Sequence, residues 1–481
     1  MTRTSTRELF GRAVDLVRSA PLDGPGRVPA FELPAGEIAP RPTSGPVDGL
    51  SGDLWDTTAR IRSGTLTTSE VLAAAAERVR LYDRRFATFE YLAPGALTGD
   101  VDQSKPLAGI PITVKDVIHV AGMPTAGSSV AITPIQAMRD GTAVARLRAA
   151  GAAIVGKVVT HEFALGVTTP QSYSPWDERR VPGGSSGGSA ISVLTGMALG
   201  SLGTDTRASI RVPAALCGLV GFKASRGRIP VDEWLTLSWS LDHLAPMARS
   251  VRDIALLMDI LAGPPGAWTG ALPGNLHGVR VGTAEAFLAG CEPGVRAAFD
   301  AALVVARAAG AIVIPIDDVL GEDDLELANA VGMVLSRAEA AQFHLESGTD
   351  IERCIPEVRE QLTEARKLSA TDYIRAMRLR GLLRDRFVRA FEGIDVVAMP
   401  TSKIVAPFRE DADQFLLVLS ANCIPWSLVD FPAISVFAGL SEGLPVGLQL
   451  VGAPASDRPL LALAHAFECA LPTAPEWSPR R

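Results

Sequence analysis

The sequence predicts an α/β layered protein, and three observations carry that prediction. Short apolar, β-branched runs alternate with helix-period segments along most of the chain. No linker or shift of composition divides the stretch beyond residue 50. No internal repeat is present. In chain order, residues 5–18 place Leu9, Phe10, Ala13, Val14 and Val17 on one side of a short amphipathic helix. Residues 20–47 carry seven prolines and little periodicity, which reads as an arm and not core. Residues 1–49 are therefore assigned to an N-terminal helix and Pro-rich arm, and 50–481 to a single domain. Thr67 followed by Glu70 makes a capping box ahead of Val71, Leu72, Ala75 and Val79, predicting a helix over 68–82. Period-two spacing over 110–114 predicts a strand ending at Lys115. A helix at 142–150 and a buried strand at 153–155 follow. A strand at 279–281, a helix at 294–309 and a strand at 311–314 come next, then helix-rich sequence over 323–392. Strands at 396–399 and 446–451 and a helix at 457–470 complete the reading.

Composition removes several function classes. The 481 residues are 47% hydrophobic and 21% charged, a globular mixture and not a disordered one. A net charge of -7 argues against nucleic-acid binding and against a polybasic membrane patch. Positive charge rests on 40 Arg and only 6 Lys, so each lysine stands out. Cys217, Cys291, Cys354, Cys423 and Cys469 are odd in number and at least 46 residues apart, which excludes CxxC sites and disfavours a disulfide framework. The histidines form no HExxH or other short pairing, so no metal is expected. The N-terminus shows no apolar signal core. The 24-residue uncharged run at 181–204 is half Gly and Ser, unlike a membrane helix. A cytoplasmic location is the expectation.

Three segments carry the chemistry. One is Pro106-Leu-Ala-Gly-Ile-Pro-Ile-Thr-Val-Lys115-Asp116, a lysine at the end of an apolar strand. Burial of an ammonium there would favour its neutral form, a competent general base near neutral pH. A strand-end lysine that reaches solvent is the commoner arrangement, and position alone does not separate the two. The second segment is Pro182-Gly-Gly-Ser185-Ser186-Gly-Gly-Ser189-Ala190. It can be read as a flexible linker, although it sits inside dense α/β alternation. A phosphate loop is a weak reading, because the Lys-Ser/Thr pair of a Walker motif is missing. A site where backbone amides approach a reacting group is the third reading. The last segment is Gly203-Thr-Asp205-Thr-Arg207-Ala208-Ser209-Ile-Arg211-Val-Pro213. Serine needs a positioned base to act as a nucleophile, and no His-bearing motif or GxSxG elbow offers one, which leaves lysine.

Together these segments resemble the amidase signature family of serine amidohydrolases. Gly156-Lys157, Glu162-Phe163, Ser174-Pro-Trp-Asp177, Ser240-Leu-Asp242-His-Leu-Ala-Pro246-Met247 and Gly443-Leu-Pro-Val-Gly-Leu-Gln449-Leu extend the likeness over about 50–470. The resemblance implies a large central mixed β-sheet covered by helices on both faces. It also implies a triad of Ser209 as nucleophile, Ser185 as bridging serine after a cis peptide bond, and Lys115 as base. Backbone N–H groups of Thr206, Arg207, Ala208 and Ser209 would form the oxyanion hole, each worth roughly 3–4 kcal/mol. Ser186, Asp205 and Arg211 match supporting positions, which ordinary structural pairing would explain equally well. The chain departs from the family at Arg207-Ala208, where Gly-Gly is usual, and this bears on the backbone angles and the shape of the acyl pocket.

The resemblance implies hydrolysis of C–N bonds in small amides, aryl amides or carbamates (urethanes), possible esterase activity, no cofactor, and a monomer or homodimer. The glutaminase component of glutamyl-tRNA amidotransferase, which releases ammonia from glutamine, is the alternative. Its relatives typically carry Gln where this chain has Val212. A non-catalytic binding protein on the same fold is a further alternative, motivated by Arg207-Ala208. Trp234-Leu-Thr-Leu-Ser-Trp239, the helical region 323–392 and Asn422-Cys-Ile-Pro-Trp426 are candidates for an apolar or aromatic substrate pocket, although such residues are more often core.

Overall fold

The computed structural model describes residues 5–21, 52–98, 101–272 and 275–478. Most of the Pro-rich arm lies outside the described residues. Thirteen strands are found among those described: β1 (Phe89–Leu92), β2 (Pro111–Lys115), β3 (Pro124–Thr125), β4 (Ile135–Gln136), β5 (Ala153–Val158), β6 (Gly200–Thr204) and β7 (Val220–Lys223). They continue with β8 (Leu244–Ala248), β9 (Arg280–Thr283), β10 (Ile312–Pro315), β11 (Val396–Pro400), β12 (Ala433–Ser441) and β13 (Leu444–Val451). Eleven of them form one mixed sheet in the order β1-β5-β2-β6-β8-β7-β12-β13-β11-β9-β10, and β3 and β4 pair separately. The α/β expectation holds, and the sheet is mixed as the resemblance implies. β2 runs parallel to β5 and β6, whereas β8, β7, β12 and β13 are joined by antiparallel ladders.

Every residue of β2, β6, β8, β11 and β13 is buried, so both faces of the central sheet are covered. Such strands lose the apolar–polar alternation that reveals a half-exposed strand. For that reason β6, β7 and β8 escape a pattern reading, and β7 and β8 are also interrupted by Gly221 and Pro246; β1 and β12, which are partly exposed, also go unpredicted. The capping box at Thr67 and Glu70 forms, and its helix runs further than the spacing predicts, over Thr68–Phe86. The helix-rich region resolves into helices Glu322–Glu346, Pro356–Ala365 and Ala370–Arg389.

The N-terminal helix Thr6–Ser19 is no loose appendage. Its buried Phe10, Ala13, Val14 and Val17 join the main hydrophobic core, and it packs on helix Glu322–Glu346. Arg18 Nε donates to Asp372 Oδ1 at 2.7 Å, and Arg375 Nε donates to the Val17 carbonyl at 2.7 Å, fastening the helix to Ala370–Arg389.

Candidate active site

The chemistry-bearing residues converge at the C-terminal ends of two neighbouring parallel strands, a common site location in α/β sheets. β2 ends at Lys115 and β6 ends at Thr204. The parallel ladder pairing Val114 with Leu202 sets these two ends side by side. Lys115 is fully buried, which excludes the solvent-reaching alternative. Its Nζ lies 2.6 Å from Ser185 Oγ and 2.7 Å from Thr204 Oγ1. Both partners are neutral hydroxyls. Burial pushes the ammonium down to about 7, against the attraction of Asp205 and Asp242.

Ser185 is held by its backbone. The Gly184–Ser185 peptide is cis, as the resemblance implies. The Ser185 carbonyl accepts from the His161 N–H at 3.0 Å and from Thr169 Oγ1 at 3.2 Å. Helix Gly187–Leu194 begins immediately after this loop. The glycines permit close approach. A Cβ at Gly184 would lie 2.7 Å from Thr169 Oγ1, and one at Gly188 would lie 2.6 Å from the Val159 backbone nitrogen. The linker reading fails on this packing, because Pro182 through Ala190 are all buried.

The third segment joins β6 to helix Arg211–Cys217. The Ser186 N–H donates to the Ser209 carbonyl at 3.2 Å, and Ser186 Oγ donates to the Thr204 carbonyl at 3.3 Å, so the two loops are docked on each other. Among the described residues the Ser209 hydroxyl makes no hydrogen bond to protein, and Ser209 is 3% exposed. The backbone N–H groups of Thr206, Arg207, Ala208 and Ser209 likewise find no protein acceptor there, whereas Asp205 N–H bonds the His243 carbonyl and Ile210 N–H bonds Asp205 Oδ2. A run of unused buried donors flanked by satisfied ones is what an oxyanion hole requires. Neither Arg207 nor Ala208 has a positive φ, so the backbone at this place does not demand glycine.

Asp205 and Arg211 brace this loop. Arg211 Nε and Nη2 donate to the two carboxylate oxygens of Asp205 at 2.9 and 3.0 Å. Arg211 also reaches Gln449 Oε1 at 2.7 Å, Ser427 Oγ at 2.6 Å and the Arg207 carbonyl at 2.9 Å. Burial alone would raise the Asp205 carboxyl, but the Arg211 charge holds it down at about 2. Asp242 supports the opposite edge, accepting from Thr206 Oγ1 at 2.7 Å.

Sequence reasoning missed Thr204, whose only signal was its place one residue before Asp205. It also missed His161, which is buried with its ring beside Thr168, Thr169 and Glu357. The pocket candidates divide. Trp426 is fully buried against Phe287, Phe387 and Phe431, so it is core. Trp234 donates to Asp242 Oδ2 at 3.1 Å, and Trp239 is 47% exposed. A cleft of about 660 Å³ is lined by residues including Phe163, Leu235, Phe343 and His344. It shares no residue with the Lys115–Ser185 contact, so the side chains locate the chemistry and this opening does not. Among the described residues no group of three His, Cys, Asp or Glu side chains could hold a metal ion, and no helix is long and apolar enough to cross a membrane.

Three comparisons bear on this geometry. The chain matches the family model described as Amidase over residues 93–461. It is 35% identical over 475 residues to the A-subunit of the glutamyl-tRNA(Gln) amidotransferase of Chloroflexus aggregans, with 88% of this chain and 96% of that protein covered. A crystal structure of an amidase superposes with a TM-score of 0.78 at 34% identity, covering 88% of this chain and 100% of the other. The structure of 6-aminohexanoate cyclic dimer hydrolase complexed with substrate gives a TM-score of 0.79 at 26% identity, covering 89% and 98%.

Proposed function

Because this chain belongs to the amidase signature family, we propose that it hydrolyses the C–N bond of a small carboxamide through an acyl-enzyme on Ser209. The observation that carries this reading is the buried 2.6 Å contact between Lys115 Nζ and Ser185 Oγ. In its neutral form Lys115 accepts the Ser185 proton while Ser185 accepts the proton of Ser209. Ser209 Oγ then bonds the substrate carbonyl carbon, and the oxyanion is met by N–H groups of residues 206–209, worth roughly 3–4 kcal/mol per donor. The C–N bond breaks as the proton on Lys115 returns through Ser185 to the leaving nitrogen. Water adds to the acyl ester by the same relay, releasing the carboxylic acid and restoring Ser209. Asp205, Arg211 and Ser186 hold the loop and touch no reacting atom in this scheme.

Within this chemistry the comparisons support a glutaminase, in the manner of the amidotransferase component, better than a stand-alone amidase. Identity of 35% across 96% of that relative outweighs the departure at Val212, which is packed in an apolar cluster with Ala208 and Leu216. On that branch glutamine is the ammonia source and the chain works beside partner proteins. The relatives described above give no support for carbamate (urethane) or ester hydrolysis.

A serine-directed fluorophosphonate probe tests the shared chemistry. Label is expected on Ser209 in the wild type and none on Ser209→Ala. No label, together with no ammonia or amine released from glutamine or any other amide, would leave a non-catalytic protein on this fold. Ammonia release from glutamine, raised by a copurifying partner, selects the glutaminase branch.

A further inference from the structure

Arg207 stands two residues before Ser209 and is 8% exposed, yet among the described residues its Nε and Nη1 have no hydrogen-bond partner. Among the described residues it enters no ion pair. Arg337, on helix Glu322–Glu346, is also 8% exposed. Among the described residues its one hydrogen bond is a long contact of 3.5 Å from Nη1 to Ser336 Oγ. The fold satisfies a buried arginine fully where structure is the purpose: Arg211, four residues beyond Arg207, meets a carboxylate, an amide, a hydroxyl and two carbonyls.

A guanidinium keeps its proton in proteins. Burial, with the charge of Arg337 added, depresses the Arg207 pKa, which measures how poorly the site tolerates that charge as it stands. A buried cation without a counter-ion is costly, and the cost falls when an anion arrives. Glu357 acts on Arg337 through space, and its carboxylate also faces His161 Nε2 at 3.5 Å and Gln361 Nε2 at 2.8 Å. It therefore offsets part of the charge on Arg337 and leaves Arg207 unmet. A monoanion suits that remainder. The departure from the family's Gly-Gly thus adds a buried cation two residues before the nucleophile in sequence.

We propose that Arg207, backed by Arg337, is a carboxylate-binding subsite, so that the substrate is a small amide that also carries a free carboxylate. This rests on the hydrolase reading above. Both arginines act as specificity residues. The carboxylate fixes the position of the amide relative to Ser209, and a neutral amide of the same size leaves Arg207 without a partner.

The test uses the full-length protein and matched amides: malonamate, succinamate and glutaramate against butyramide. Wild type is expected to favour the best anionic amide over butyramide by at least about 100-fold in kcat/KM. Arg207→Ala should bring that ratio close to unity, Arg207→Lys should keep part of it, and Arg337→Gln should lower it less. Because the ratio is taken within one variant, a disturbed backbone donor at 207 cancels. Arg207→Ala should also melt at a higher temperature, since an unmet buried charge is removed, whereas a structural arginine would lower it. Equal turnover of both amide types by wild type, or an unchanged ratio in folded Arg207→Ala, overturns the subsite and leaves the hydrolase intact. No turnover with no fluorophosphonate label overturns the hydrolase. Calorimetry with succinate then decides the subsite alone: binding at least about tenfold weaker in Arg207→Ala sustains it, and equal or absent binding overturns it.

Discussion

Two buried cations near Ser209 meet opposite fates because their partners differ. Arg211 faces the Asp205 carboxylate and keeps its charge. Lys115 is buried to the same degree, but among the described residues its nitrogen bonds the hydroxyls of Ser185 and Thr204, which repay little of the desolvation. A lysine pushed down to about 7 is half neutral near physiological pH, which suits a general base. The base form grows as pH rises, so kcat/KM for an amide should climb between roughly pH 6 and pH 8 and then level off. Lys115→Ala should lower kcat/KM by about 10²–10⁴ and flatten that limb, as read from a pH–rate profile. A wild-type rate in this variant would mean that another group is the base.

At the scale of elements, the glycines around the serines act as spacers. Helix Gly187–Leu194 lies so close to β5 that a Cβ at Gly188 would stand 2.6 Å from both the nitrogen and the carbonyl oxygen of Val159. These neighbours are backbone, and they yield only if the helix moves. Gly188→Ala should destabilise the protein by about 1–3 kcal/mol in urea unfolding. It should also slow fluorophosphonate labelling, because the displaced helix carries the Ser185 loop with it. Normal stability with normal labelling would show that the helix has slack. The same closeness explains why a segment with a linker's composition is one of the most rigidly enclosed parts of the chain.

The whole molecule gathers its site from distant sequence. Lys115 bonds Ser185 across 70 residues of sequence, Arg211 bonds Ser427 and Gln449 across more than 200, and the Ser186 N–H bonds the Ser209 carbonyl. The N-terminal helix is equally remote in sequence from its support. Phe10, Ala13, Val14 and Val17 cover helix Glu322–Glu346, and Arg18 pairs with Asp372. Deleting residues 1–21 bares that surface and should cost at least about 3 kcal/mol, seen as a lower melting temperature. A truncated protein that melts with the full chain would mean that the helix adds nothing to the fold.

The sequence alone determined the α/β class, the capping box at Thr67, the strand ending at Lys115 and the order of the three chemistry-bearing segments. These follow from local propensity, periodicity and residue type, which neighbours along the chain encode. The tertiary structure decided the rest. Lys115 could have reached solvent until β5 and β6 closed around β2. Thr204 had no mark until the parallel register set it beside that lysine. Three sheet strands, β6, β7 and β8, were hidden because burial on both faces removes alternation. The Arg207-Ala208 departure read as a doubt about the backbone, and the fold turned it into a buried charge without a partner. Desolvation and pairing depend on what surrounds a group in space, and a linear sequence does not state its spatial neighbours.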